Sequence, residues 1–470
     1  MKDLYKLGAT EAVALLKKRE VSPLELVDVS IDRIEATDGK LNAMVTRCYE
    51  RAHDHARRIM QEKQAQRAPG FLYGLPIAAK DNLAVAGVRS TSGSKIYADH
   101  VPAESDLVVE RLEAHGAIIM GKSNMPEFAA GGNSFNDVFG ATRNPWDVRT
   151  TPGGSSGGSA AALAAGQVWL ATGGDFGGSI RHPASFASVS GLRPSPGMVA
   201  KIQKQPFNPL SVEGPMGRTV ADVALMFDAE AGFHPEDPLS QLGPHPSFAA
   251  AAASPRKPAR IAFSPDLGIA PVMDDEVRSL CRAAAQKIAQ AGIAVDEKHP
   301  DLSDAGRTFL TLRGAVYIAR HGGWLEKYRH VLKPEIVQNT EFGLKLSAPD
   351  VVAAEVAQGD IVRRVATFMK DYDALICPTV LCAPFDVNQR FPEQLNGVRF
   401  EGYMGWLVLT FSVTVTACPV MAVPVGFTKA GLPVGVQVIG KPRGEAALFQ
   451  VASYLEALFG VSHLTPIDPR

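Results

Sequence analysis

Apolar positions along the chain switch repeatedly between helical spacing and short buried runs, which predicts an α/β protein. Ala12, Val13, Leu15 and Leu16 follow Thr10 at helical spacing. Ser22-Pro-Leu-Glu25 is a capping box with proline at the first helical position, and Leu26, Val29, Ile31 and Ile34 continue that helix. A third helix is expected over 47–63, polar on one face. Residues 1–65 therefore read as a helical arm packed on the domain that follows or on a partner subunit, which admits a homodimer.

Residues 66–470 read as one large domain. A strand over 74–80, a helix over 105–115 and a strand over 117–122 form a βαβ-like unit. A short strand is expected at 168–171 and a helix capped by Thr219 at 220–231. The segment from Ser190 to Gly197 reads as a breaker cluster, and 233–258 as an irregular surface excursion. A second unit runs through strand 260–263, helix 274–291 and strand 293–298. Helices fill 303–371, buried strands are expected at 374–378, 420–425 and 434–439, and an amphipathic helix closes the chain over 445–458. The architecture predicted is a single α/β/α domain, a large mixed sheet covered by helices on both sides.

Composition narrows the function classes. A formal net charge of −1 and no dense Lys/Arg run argue against nucleic acid or anionic membrane as a partner. No apolar stretch has the length of a transmembrane helix, and the N-terminus shows no apolar core of signal-peptide length. Five cysteines without a Cys-x-x-Cys pair point to a reducing cytoplasm, without structural disulfides or thiolate zinc. Neither a metal nor a cofactor is expected.

The candidate chemistry lies in two Gly/Ser loops. Gly153-Gly-Ser-Ser-Gly-Gly158 opens a small-residue helix over 159–165, and Gly173-Gly-Asp-Phe-Gly-Gly-Ser179 follows the strand at 168–171. Glycines leave backbone N–H groups bare, and several at a helix start form a pocket for negative charge. These loops, Ala78-Ala-Lys-Asp-Asn82, Gly214-Pro-Met-Gly-Arg-Thr-Val-Ala-Asp222 and Gly431-Leu-Pro-Val-Gly-Val-Gln-Val-Ile-Gly440 together resemble the amidase signature family over most of the chain. The resemblance implies a single α/β/α fold and hydrolysis of a carboxylic amide. It implies a triad of Lys80, Ser155 as a cis-serine, and Ser179 as nucleophile. It also implies an oxyanion hole from the backbone N–H groups of Phe176, Gly177, Gly178 and Ser179. Ser156, Asp175 and Arg181 are the expected supporting residues, and His182 is expected to be structural or at the pocket rim.

Other readings compete with this one. Lys80 paired with Asp81 at the surface is the bland alternative. Gly153-Gly-Ser-Ser-Gly157 also fits a nucleophile elbow, but it follows a loop and not a strand. Ser92-Gly-Ser-Lys95 is too short a pattern to weigh much. A phosphate loop needs Gly-Lys-Ser/Thr, absent after Gly158, so a nucleotide-binding protein is the distant alternative. Within the family the alternative is the A subunit of a glutamyl-tRNA amidotransferase. Residues 405–410 contain no acid to hold glutamine's ammonium, which favours a more apolar amide. Met125, Phe128, Tyr403 and Trp406 are the candidate acyl pocket, with Phe135 and Trp146 as further aromatic candidates.

Overall fold

A computed structural model describes residues 3–61, 70–241 and 247–470. Eleven strands form one sheet. In chain order they are β1 (Met44–Arg47), β2 (Leu75–Lys80), β3 (Ala117–Ser123), β4 (Leu170–Asp175), β5 (Ser190–Arg193) and β6 (Val212–Gly217). β7 (Arg260–Phe263), β8 (Ala294–Glu297), β9 (Ala374–Pro378), β10 (Val420–Phe427) and β11 (Pro433–Ile439) complete it. The spatial order is β1-β3-β2-β4-β6-β5-β10-β11-β9-β7-β8. Parallel pairs at β3-β2-β4 and β9-β7-β8 flank an antiparallel middle, so the sheet is mixed, as expected.

Both faces of the sheet are buried, and the period of two shows why. Ala117 and Ile119 of β3 point into one apolar cluster while Ile118 and Met120 point into another. The helices Pro23–Leu41 and Tyr49–Gln61 lie over one end of the sheet. Glu445–Phe459 packs on β10 and on Val220–Glu230.

Four strands differ from expectation. Met44–Arg47 is an edge strand antiparallel to β3, where a helix was expected to begin at 47. Ser190–Arg193 is a buried strand and not a breaker cluster, and Val212–Gly217 pairs with both β4 and β5. β4 starts at Leu170 and runs through Gly173 and Gly174 to Asp175, well into the second glycine loop. The irregular excursion contains the short helix Phe248–Ala252, and residues 242–246 of it lie outside the described residues.

The helix Gly157–Ala164 is wholly buried, and glycine is required at its start. A Cβ on Gly158 would run into the backbone of Asn124 and the carbonyl of Ala43. Gly158→Ala should therefore lower the thermal midpoint. Overpacking costs about 1–3 kcal/mol, and backbone on two sides leaves no flexible group to yield. That outweighs the roughly 1 kcal/mol helix preference of alanine. An unchanged melting curve would refute the close approach.

Candidate active site

Lys80 ends β2 and is almost wholly buried, with 1% of its surface exposed. The run Leu75, Ile77, Ala78, Ala79 buries the strand that carries it, and Thr172 Oγ1 accepts its N–H at 2.8 Å. Its Nζ lies 2.8 Å from Ser155 Oγ, 2.9 Å from Ser156 Oγ and 3.4 Å from the Gly174 carbonyl. The Gly154–Ser155 peptide is cis. Ser156 N–H donates to the Ser179 carbonyl at 3.0 Å, which ties the two glycine loops together.

Burial pulls the Lys80 ammonium down to about 8, against the opposing pull of Glu213 and Asp175. The bland pairing with Asp81 does not occur. Asp81 takes the Thr91 hydroxyl at 2.5 Å and lies 3.8 Å from Lys122. Lys122 is also buried and held near 8 by burial, but its Nζ is committed to the Leu83 carbonyl and, at 2.9 Å, to Ser90 Oγ.

Asp175 organises the second loop. Its carboxylate receives Gly178 N–H at 2.9 Å, Ile180 N–H at 3.2 Å, and Arg181 through Nε at 3.0 Å and Nη2 at 2.9 Å. Arg193 Nη1 lies 3.1 Å from the same group. Burial alone would raise the Asp175 carboxyl, but Arg181 and Arg193 hold it well below the usual carboxylate range. Arg181 also reaches Gln437 Oε1 at 2.6 Å, the Thr410 carbonyl at 2.9 Å and Thr414 Oγ1 at 2.9 Å. Of the four amides expected to form an oxyanion hole, that of Gly178 is thus already occupied. The N–H groups of Gly177 and Ser179 meet no protein acceptor among the described residues.

Ser179 opens into a cavity of about 170 Å³ that also exposes Lys80, Ser155, Asp175 and Phe176. Of the candidate pocket residues only Phe128 lines it. Trp406 is wholly buried and stacks on Phe186, with ring centroids 6.2 Å apart, and Met125 is wholly buried. Tyr403 lies behind the wall, its hydroxyl 2.7 Å from both Arg313 Nη2 and Asn339 Nδ2. Phe135 lies under the Lys333 ammonium at 3.9 Å, and Trp146 donates to the Ala187 carbonyl at 2.9 Å; neither lines the cavity. His182 is buried, its ring nitrogens 3.2 Å from the Gly154 carbonyl and 2.5 Å from Thr410 Oγ1, and burial then Arg181 push it down to about 3.

The cavity is not the apolar pocket expected. Tyr317, Arg320 and His321 line it from the helix Ala305–His321 and its end, opposite Lys201 and Glu213, which pair at 2.6 Å. The i, i+4, i+7 spacing of Arg313, Tyr317 and Arg320 was the available signal, but it marks a shared face without saying what that face meets. Among the described residues no cluster of His, Cys, Asp and Glu is arranged to hold a metal ion. No described helix is long and apolar enough to cross a membrane.

A sequence profile of the Amidase family matches residues 25–449. An acylamidase of Rhodococcus erythropolis is 33% identical, the match covering 99% of this chain and 98% of the relative. The A subunit of the glutamyl-tRNA(Gln) amidotransferase of Moorella thermoacetica is 35% identical over 97% of each chain. The crystal structure of a bacterial aryl acylamidase of the amidase signature family superposes with a TM-score of 0.86 at 28% identity, covering 98% of this chain and 99% of that one. The chain belongs to the Amidase family. It is an amidase, an enzyme that hydrolyses amides.

Asp175→Asn should unfold at markedly lower denaturant. It leaves two buried guanidinium groups without their carboxylate, a change that typically costs about 3–5 kcal/mol. Because the folded Asp175 carboxyl is depressed, its contribution is full above the unfolded pKa of about 3.9 and is lost as pH falls below it. The wild-type stability advantage over Asp175→Asn should therefore shrink on acidification. A variant as stable as wild type at pH 7 would contradict the assignment.

Proposed function

We propose that this enzyme cleaves a small carboxylic amide through an acyl-enzyme on Ser179, with Ser155 relaying protons to a neutral Lys80. The observation that carries this reading is the buried Lys80 Nζ at 2.8 Å from Ser155 Oγ, in the cavity that Ser179 opens into. A neutral amine has two hydrogens and one lone pair. Ser156 Oγ and the Gly174 carbonyl are suited to take the hydrogens, leaving the lone pair for the Ser155 hydroxyl. Ser155 in turn takes the proton of Ser179 as its Oγ bonds to the scissile carbonyl. The free N–H groups of Gly177 and Ser179 receive the oxyanion, and Asp175, Arg181 and Ser156 hold the two loops in place. The proton stored on Lys80 returns to the leaving nitrogen as the C–N bond breaks, and water then releases the acid by the same route in reverse.

Cytoplasmic action belongs to this reading, supported by five cysteines none of which forms a disulfide. So does the division into an arm (1–65) and an amidase domain (66–470), joined where Met44–Arg47 enters the sheet. The relatives named as amidotransferase subunits favour a second reading, a glutaminase working with partner subunits. Against it, the carboxylates lining the cavity, Asp175 and Glu213, are held by Arg181, Arg193 and Lys201, and no acid follows in 405–410.

With Lys80 held near 8, kcat/KM should rise with pH through about 8 and level off above it, as the base loses its proton. His182 and His321, both held near 3 by burial, would give a profile already flat at pH 6. Lys80→Met should lose about 10²–10⁴-fold while remaining folded, and Lys80→Arg should do no better because guanidinium stays protonated. A phosphonofluoridate should label Ser179, and Ser179→Ala should abolish labelling. A label on Ser155, or a folded Lys80→Met with near-normal rates, would overturn the assignment.

Free glutamine should be a poor substrate because its ammonium enters a cavity whose carboxylates are already each paired with a cation. The measurement is released ammonia, with glutamine compared against glutaric acid monoamide, which lacks only the amino group. Equal turnover of the two would revive the amidotransferase reading.

A further inference from the structure

Arg320 is the feature of the cavity that the catalytic reading does not use. It stands on the helix Ala305–His321 and lines both the cavity of Ser179 and an adjoining cavity of about 330 Å³. Among the described residues it has neither a hydrogen-bond nor an ion-pair partner, and its guanidinium lies over the Phe176 ring, 5.6 Å from the centroid. Arg313, two turns earlier, lies 5.0 Å from the same ring and is satisfied only by neutral groups: Tyr317 Oη at 2.5 Å, Tyr403 Oη at 2.7 Å and Asn339 Oδ1 at 3.2 Å. Each carboxylate lining the cavity already faces a cation of its own, Glu213 through Oε1 with Lys201 at 2.6 Å and Asp175 with Arg181 and Arg193, and none is hydrogen-bonded to Arg320, although Glu213 Oε2 makes no hydrogen bond. Lys204 adds a further cation to the wall of the adjoining cavity.

A guanidinium facing a partly dry cavity without an anion is costly, and a fold retains it where a ligand supplies the missing charge. Its planar fork matches a carboxylate in two parallel hydrogen bonds. We infer that the amide substrate carries a carboxylate a few bonds from the scissile carbonyl, and that Arg320 binds it. The inference rests on amide cleavage at Ser179 and adds the substrate class. The carboxylate belongs either to the acyl part, as in a monoamide of a short dicarboxylic acid, or to the amine part, as in an N-acyl amino acid. Both place an anion and an amide in one small cavity.

Binding to full-length Ser179→Ala protein, which retains the amide uncleaved, separates this inference from the catalytic one. Calorimetry would compare glutaric acid monoamide with pentanamide, and N-acetylglycine with N-propylacetamide. The carboxylate of one pair should bind about 30-fold or more tightly than its neutral partner, and the pair that shows it tells which side of the amide is charged. Adding Arg320→Gln should bring that ratio to within about threefold of one, while Arg320→Lys retains part of it. The melting temperature of Arg320→Gln should fall little, since only the contact over the Phe176 ring is lost and no hydrogen bond or ion pair, whereas a structural arginine would lower it clearly. No preference in either pair with Arg320 intact, or a preference that survives Arg320→Gln, overturns the inference and leaves amide cleavage standing. Failure of Ser179 labelling would instead remove the catalytic reading, with the binding result unaffected.

Discussion

The site depends on one buried carboxylate. Asp175 sits at the end of β4, and the two guanidinium groups of Arg181 and Arg193 compensate its charge where water does not reach. The same oxygens take the N–H groups of Gly178 and Ile180, so the chain is fixed on both sides of Ser179. Arg181 carries the restraint onward to Gln437 in β11 and to Thr410 and Thr414 in the helix Val408–Thr414. A buried ion pair is weak evidence of net stability, because desolvation offsets attraction. Its value here is positional: it sets the second glycine loop, with Ser179, relative to the sheet before any substrate arrives.

The fixed loop matters because the proposed mechanism needs Lys80 to be both buried and reachable. Full desolvation alone would push the ammonium further down, and Glu213 and Asp175 pull it back. Glu213 is tempered by Lys201, and Asp175 by its arginines, so neither acts as a full local charge on Lys80. The outcome is an amine held near 8, which in the proposed mechanism is close enough to neutrality to accept a proton and strong enough to return it.

The parts of this arrangement that were legible in the sequence are local ones. Lys80 ends a run of apolar residues, so a buried strand delivering a lysine could be read directly. The two glycine loops announced bare N–H groups; those of Gly177 and Ser179 meet no acceptor among the described residues, while Gly178 gives its own to Asp175. Strands β5 and β6 were not legible, because Gly and Pro dilute strand preference and Arg193 is a charge in a buried strand. Their pairing is decided by neighbours far along the chain. The pocket failed for a related reason. Aromatic side chains such as Trp406 and Phe128 look alike in sequence, and only the packing of 405–410 against the second loop decides which is core and which faces the cavity.

Arg320 and Lys80 share one low-dielectric cavity, and under the proposed mechanism this links specificity to catalysis. Burial that lowers the lysine also makes a bare guanidinium expensive, since both effects are the loss of water around a cation. A neutral substrate would exclude still more water and leave Arg320 uncompensated, adding a positive charge's repulsion to Lys80. An anion bound at Lys80 itself would do the opposite harm, because it would favour the ammonium and silence the base. A carboxylate paired with Arg320 avoids both outcomes. The pair is nearly neutral when seen from Lys80, so the substrate's charge can be used for binding without returning the proton that catalysis needs removed.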